Sequence, residues 1–412
     1  MLKLRDYQKK IVEEGYSKLV NKNMVYLSME VRTGKTLTAL SLADKFSMKK
    51  VLFVTKKKAI KSIQKDYELL KPSYKIEVIN YESLHKFNDS VDAIIIDEAH
   101  TIGTYPKPNN KYKQLKEIVR KNEFAKLILL SGTPSPESYS QLFHQFKLSR
   151  IRSPFKEYAN FYKWSKVFVN VEQRDFGYAK VNDYSKAKKE EIMEVLKDYF
   201  ISYTQSEAGF EQKVNEHILE VKMKEKTYEI VKTLKKDLVV QGRDEVILAD
   251  TSVKLQNKIH QLCSGTVRFE SGNTKTIDNS KGIYIKEYFK GKKIAIFYVF
   301  KEELNLLKNI FTNFTDQPEE FNESKDKVFL GQIRSSREGV NLSSADALIY
   351  YNIEFSALSY IQGKDRMTSK ERIKDNNVYF IFSKGGIEKH IYKRVSNKLD
   401  FTNSYFKKIN GK

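Results

Sequence analysis

Two α/β lobes with a mostly helical insertion between them are what the chain predicts. Apolar runs of strand length alternate with longer amphipathic stretches through the first third, the rhythm of βα units wound around a buried parallel sheet. The same rhythm resumes after residue 290. Between the two, over roughly 140–280, helical patterning and dense charge replace it. The expected divisions are a first lobe over 1–140, a basic helical insertion over 141–210 and a second lobe over 211–412, with a hinge near 205–225.

The strands follow in chain order. An apolar lead, VYL (25–27), precedes a turn and an apolar helix. VLFVT (51–55) runs into the helical KKKAIKSIQKDYELL, VDAIIID (91–97) ends in carboxylates, and KLILLSGT (126–133) ends in small polar residues. KIAIFYVF (293–300), KVFLGQ (327–332), DALIYYN (346–352) and NVYFIFS (377–383) read as the strands of the second lobe. SGNTKTIDNSKG (271–282) reads as a polar, turn-rich loop.

Composition narrows the class. The 412 residues suffice for more than one domain. A hydrophobic fraction of 40% with 12% aromatics excludes general disorder. The single cysteine, Cys263, excludes a disulfide framework and a Cys-rich zinc site and points to a reducing compartment. The six histidines show no metal-ligand spacing with it. The start, MLKLRDYQKK, has no apolar signal region, and no apolar run approaches the ~20 residues of a membrane helix. A soluble, cytoplasmic protein with no membrane partner is expected. Lys and Arg number 74 against 52 Asp and Glu, and the net charge of +22 favours a polyanionic partner.

The residues that carry chemistry sit at the ends of the strand-like runs. In Gly34-Lys35-Thr36, glycine permits a tight turn in which backbone N–H groups approach phosphate oxygens. Lys35 would reach the terminal phosphates, Thr36 would coordinate Mg²⁺, and the helix that follows would point its positive end at the same phosphates. A bare GKT also occurs in ordinary surface turns; the strand–turn–helix setting is what favours function. The first glycine of the G-x-x-x-x-G-K-T pattern is replaced by Met29. Asp97 and Glu98 close the apolar run VDAIIID, and Asp97 lies 62 residues after Lys35, a spacing that suits two parallel strands of one sheet. A carboxylate at such an edge can hold Mg²⁺, and its neighbour can deprotonate an attacking water. Ser131-Gly132-Thr133-Pro134 follows 34 residues after Asp97, with hydroxyls able to bond the carboxylate loop.

GKT, DEAH and SGTP, in that order and at those spacings, resemble motifs I, II and III of superfamily 2 helicases and translocases. LRDYQKKIVEEGY (4–16) resembles the adenine-reading element of the remodeller-type (Swi/Snf) branch, with Gln8 as the purine-edge reader. VLFVTKKKAIKSIQKDY (51–67) is similar to motif Ia and NYESL (80–84) to motif Ib. IAIFYVFKEELNLL (294–307), REGVNLSSADALIYYN (337–352) and QGKDRMTSKER (362–372) are similar to motifs IV, V and VI. The resemblance spans most of the chain but is weak over 140–280.

It implies two RecA-like lobes, ATP and Mg²⁺ bound on the first lobe where the second completes the site, and nucleic acid lying across both. The implied activity is that of an ATP-dependent DNA helicase or translocase. On this resemblance Gln8, Arg32, Thr33, Gly34, Lys35, Thr36, Gly339 and Gln362 bind nucleotide, and Thr36 and Asp97 hold the metal. Glu98 activates water, Arg366 stabilises the transition state, and Lys56, Lys57 and Lys58 contact nucleic acid. His100 is expected to bridge the lobes or touch the SGTP loop. Two positions depart from the pattern. Arg32 stands in a tight turn where the branch usually has a small residue, and could contact a phosphate or point away. Ser369 stands where motif VI has a second arginine, so Arg366 acts alone or Lys370 or Arg372 assists. RNA as the polymer, or a non-catalytic nucleic-acid-binding protein with a degenerate ATP site, are the alternatives. Over 147–180, eight Lys or Arg are interleaved with eight aromatics including Trp164. The aromatics read mainly as the core of a helical insertion, and the charges suit a strand-guiding wall.

Overall fold

The computed structural model describes residues 3–175, 180–209, 213–336, 340–368 and 374–397. The chain forms two compact units that divide between residues 210 and 211.

The first unit opens with α1 (Asp6–Lys22), β1 (Met24–Met29), α2 (Lys35–Lys45), β2 (Lys50–Thr55), α3 (Ile60–Leu70), β3 (Lys75–Asn80), β4 (Ala93–Ile96) and β5 (Lys126–Leu130). A hairpin of β6 (Glu172–Asp175) and β7 (Lys180–Asp183) follows, then β8 (Phe200–Tyr203). Six strands make one parallel sheet in the order β3-β2-β4-β5-β1-β8. The central strands are apolar without alternation because both faces are covered. The pleat still divides their side chains. Met24, Tyr26, Ile94, Ile96, Leu127 and Leu129 enter one core, while Val25, Leu27, Ala93, Ile95, Ile128 and Leu130 enter the other with Ile11, Leu40 and Ile63 of the three helices.

The segment after β5 supplies the cover of the first core. Helices Leu142–Phe146, Phe161–Phe168 and Lys189–Leu196 bury Phe143, Phe155, Phe161, Trp164 and Phe168 against the sheet. The expected helical insertion over 141–210 is thus mixed in character, with a hairpin and an edge strand, and it shares the core of the first sheet. Two of its basic residues face inward: Arg152 donates to the Ala125 carbonyl, and Lys147 Nζ donates to the Phe155 carbonyl oxygen at 2.8 Å.

The second unit begins with β9 (Val214–Val221), which the sequence reading placed in a hinge. VNEHILEV mixes polar and apolar residues, as suits a strand at a sheet edge, and it pairs with the last strand over eight residues. Helices Glu225–Asp237 and Ser252–Cys263 then alternate with two hairpins, β10 (Val239–Gln241) with β11 (Val246–Leu248) and β12 (Thr266–Arg268) with β13 (Thr274–Thr276). They form a satellite core around Leu234, Ile247 and Leu262. The loop expected at 271–282 therefore contains a short paired strand. β14 (Ile294–Tyr298), β15 (Phe314–Thr315), β16 (Val328–Gln332), β17 (Ala347–Tyr350) and β18 (Asn376–Ser383) complete a second parallel sheet, ordered β15-β16-β14-β17-β18-β9. Ala295 and Phe297 enter one of its cores, and Ile294, Ile296 and Tyr298 the other.

Candidate active site

In the first sheet, β1 leaves toward β2 on one side, whereas β5 leaves toward β8 on the other. Adjacent strands whose connections diverge open a crevice at their carboxyl ends, where ligands of open α/β sheets bind. The turn after β1 lies there. Met29 is the last, fully buried residue of the strand, so it takes no part in the turn itself. Gly34 caps α2 in the left-handed conformation, φ 84°, with no side-chain cap, which leaves the first N–H groups of the helix for an anion. A Cβ on Gly34 would stand 2.2 Å from Gln8 Nε2.

That turn is held from two sides. Gln8 is buried, its Oε1 accepts the Arg5 N–H at 2.9 Å, and its Nε2 reaches the Gly34 carbonyl oxygen at 3.4 Å. Tyr7 donates its hydroxyl to the Thr33 carbonyl at 3.0 Å and stacks on Tyr203, centroids 4.7 Å apart. Gln205, just beyond β8, donates Nε2 to the Val31 carbonyl at 3.0 Å and its backbone N–H to Glu30 at 2.7 Å. Thr33 is fully buried and turns its hydroxyl onto the Glu30 carbonyl at 2.7 Å. Lys35 Nζ lies 3.3 Å from that same carbonyl, and Thr36 is the half-buried second residue of α2. Arg32 is half-buried, with φ 64°.

Asp97 and Glu98 follow β4, which flanks β5 on the side away from β1. The Asp97 carboxylate accepts the Thr55 hydroxyl at 2.8 Å, and its carbonyl accepts the Tyr81 hydroxyl at 2.5 Å. Burial holds the Asp97 carboxyl up at about 6, the charge of Glu98 adds to this, and the Thr55 bond and the Lys35 ammonium work against it. Glu98 sits at φ 50° before the short turn Ala99–Ile102. His100 Nδ1 is 3.2 Å from Glu98 Oε2 and 3.0 Å from Ser131 Oγ, and Ser131 Oγ accepts the Thr133 N–H at 3.1 Å. The serine–glycine loop lies against the turn after β1, since a Cβ on Gly132 would stand 3.5 Å from the Val31 nitrogen.

The fold therefore brings Gln8, Thr33, Gly34, Lys35, Thr36, Asp97 and Glu98 to one edge of the first sheet. Lys56 is half-buried just past β2, and Lys57 and Lys58 are exposed in the turn that leads to α3. In the second unit, Gln362 lies buried in the helix Ala357–Lys364, and Arg366, also buried, donates Nε to the Gln362 carbonyl at 2.7 Å. The Arg366 carbonyl accepts the Leu342 N–H at 2.9 Å. Gly339 lies outside the described residues, as do Ser369, Lys370 and Arg372.

The Thr36 hydroxyl and the Asp97 carboxylate are hard oxygen donors. Among the described residues no three His, Cys, Asp or Glu converge to hold a metal on their own. Such a sparse set suits Mg²⁺, which keeps its waters and shares substrate phosphates. Sequence reasoning missed Tyr7, Thr55, Tyr81 and Gln205. Tyr7 adjoins Gln8 and was within reach; Gln205 carries no local signal, since it meets the turn across a separation of 174 residues. Among the described residues no helix is long and apolar enough to cross a membrane.

A family model described as SNF2-related domain matches residues 35–271, more than half of the chain. The ISWI chromatin-remodeling complex ATPase ISW1 of Saccharomyces cerevisiae is 24% identical over 376 residues, which cover 81% of this chain and 31% of that protein. The CHD3-type chromatin-remodeling factor CHR7 of Arabidopsis thaliana is 21% identical over 378 residues, 80% of this chain and 28% of that protein. The ATP-dependent helicase fft2 of Schizosaccharomyces pombe is 22% identical over 201 residues, 42% of this chain and 16% of that protein. The chain spans under a third of the length of each of these relatives.

Proposed function

The chain belongs to the SNF2-related domain family, and from that membership we propose that it is an ATP-dependent DNA translocase or helicase of the Swi/Snf-like branch of superfamily 2. The observation that carries the proposal is the placement of Lys35 and Asp97 just past the carboxyl ends of β1 and β4 in one parallel sheet. A phosphate-binding turn at one strand end shares that edge with a half-buried carboxylate two strands away, with Glu98 next to it. Phosphoryl transfer needs positioned charge more than covalent chemistry, and this edge supplies it.

The residues divide the work. Gln8 offers its amide to the adenine edge, while Thr33, Gly34 and the first N–H groups of α2 cradle the phosphates. Lys35 neutralises the terminal phosphate, and Thr36 and Asp97 hold Mg²⁺ as the DEAH-type box requires. The bound metal would supply charge neutralisation at the transferring group. Glu98 takes a proton from the attacking water, oriented by His100, which Ser131 ties to the next strand. Gly339 and Gln362 are assigned to nucleotide contact and Arg366 to transition-state charge, on the strength of the motif resemblance. Lys56, Lys57 and Lys58 are proposed phosphate-backbone contacts, and the net charge of +22 favours such a partner. DNA is preferred over RNA because the relatives' names speak of chromatin remodelling.

The test is ATP hydrolysis by the purified chain with duplex DNA, single-stranded DNA or RNA. DNA should stimulate turnover, and Lys35→Ala or Glu98→Gln should reduce the stimulated rate by at least about 100-fold. Wild-type-like turnover in either variant overturns the site assignment; stimulation by RNA alone makes the polymer RNA.

A further inference from the structure

Phe124 stands in the open. It lies between the helix Asn110–Lys121 and β5 and is 90% exposed, more than any other large apolar side chain among the described residues. A lone exposed hydrophobic needs no explanation, but one that recurs with a second beside it marks an interaction surface. The loop that carries Phe124 is firmly built. Asn122 accepts the Val91 N–H at 2.9 Å and donates to the Ile118 carbonyl at 3.0 Å, and the Ala125 carbonyl accepts the Arg152 guanidinium. That last bond brings the segment 150–152 to the same loop, and there Ile151 is 56% exposed. The loop leads into the amino end of β5, so it occupies the edge of the first sheet opposite the candidate active site.

The same segments gather positive charge. Burial holds the Lys147 ammonium below the ordinary lysine range, and the charges of Lys116 and Arg150 add to this; Lys126 is lowered by burial and then by Arg152. None of these five cations forms an ion pair among the described residues, and Glu123 is the acid that acts on Arg152. Three of them turn their heads onto carbonyls. Lys147 Nζ donates to the Phe155 and Lys156 carbonyls at 2.8 and 3.0 Å, Lys126 Nζ to the Leu19 carbonyl at 3.3 Å, and Arg152 to Ala125. Those bonds fix the charge in place without neutralising it. Nucleic acid fits such a surface poorly, because these heads are committed to the backbone and Ile151 has no ring to stack on a base. Carboxylates complement the field, and apolar side chains cover Phe124 and Ile151. We propose that this edge of the first unit docks a protein segment in which Asp or Glu alternate with large apolar side chains. The inference stands apart from the ATPase reading, since none of these residues belongs to the candidate active site.

The experiment titrates the purified full chain into a short fluorescein-labelled peptide of repeating Asp-Phe-Glu-Leu and reads anisotropy. Two control peptides repeat Asn-Phe-Gln-Leu and Asp-Ser-Glu-Ser, and labelled oligothymidylate serves as the nucleic-acid probe. The first peptide should bind at least about tenfold more tightly than either control, since the surface asks for both charge and apolar anchors. Phe124→Ser should weaken it by at least about tenfold, the worth of an exposed aromatic anchor. Arg150→Glu should slow association and flatten its salt dependence. Lys235→Glu, on an exposed helix position of the second unit, should change nothing. All three variants should keep the Tm of the wild type, because each alters an exposed side chain. Failure of the wild type to prefer the first peptide overturns the inference, and so does equal affinity in Phe124→Ser. A loss in Lys235→Glu as large as in Arg150→Glu would make the binding one of net charge alone and overturn it too. Oligothymidylate bound with the same dependence on Phe124 would make this a nucleic-acid surface and overturn the choice of partner. None of these readings depends on ATP turnover, so a chain without ATPase activity would leave the test intact.

Discussion

His144 shows what burial does to one side chain. It lies in the helix Leu142–Phe146, with Nδ1 2.6 Å from the Thr104 carbonyl oxygen. Burial pushes its imidazole down to about 4 from the ordinary 6.5; the Thr104 bond opposes this and Lys116 adds to it. The folded state thus binds the proton less readily than the unfolded chain, so stability is lost as pH falls from 6.5 toward 4. The loss at pH 5 relative to pH 8 should be about 1–2 kcal/mol from this residue. His144→Asn keeps a donor for Thr104 without the titration. Urea unfolding at both pH values should show a smaller acid loss in the variant; equal losses would assign the acid sensitivity elsewhere. Left-handed Arg32 and Glu98 work differently, each costing about 1–2 kcal/mol of conformational energy where the chemistry is proposed.

The helix Phe161–Phe168 decides how the aromatic-rich segment is used. Trp164 is fully buried and meets Phe143, Phe155, Phe161 and Phe168 at ring separations of 5.2–5.5 Å. It is core and offers no base-stacking platform. Trp164→Ala should cost about 3–5 kcal/mol of stability and leave DNA affinity at low temperature unchanged; an affinity loss in a variant of unchanged Tm would reverse that reading. The same contrast explains which elements could be read locally. β2, β4, β5, β14 and β17 are buried on both faces, so their apolar runs stand out in the sequence. β9 is an edge strand of mixed composition, and the hairpin strands β6–β7, β10–β11 and β12–β13 are only three or four residues long, too short for a periodicity to separate them from helix or loop.

Each unit of the molecule carries its own two-faced sheet core, so each should unfold with its own cooperativity. The second contains a fully buried ion pair, Lys281 with Glu388 at 2.6 Å, and Glu388 also accepts the Ser383 N–H and hydroxyl at 3.1 and 3.0 Å. Removing one partner leaves the other charged and uncompensated, at a cost of about 3–5 kcal/mol. Lys281→Met should therefore move one calorimetric transition and leave the other in place. A uniform shift of a single transition would mean that the units unfold as one.

From the sequence alone came the alternation of buried strands and helices and the strand–turn–helix setting of Gly34-Lys35-Thr36. The carboxylates of Asp97 and Glu98 were legible in the same way. Each is written in neighbouring residues, where apolar runs, a glycine and a strand end suffice. Only the tertiary structure decided that Tyr7 and Gln205 grip that turn, that Thr55 and Tyr81 hold Asp97, and that Trp164 turns inward. Those contacts join residues far apart along the chain, and a hydrogen bond or a packed ring between distant segments leaves no periodicity behind it.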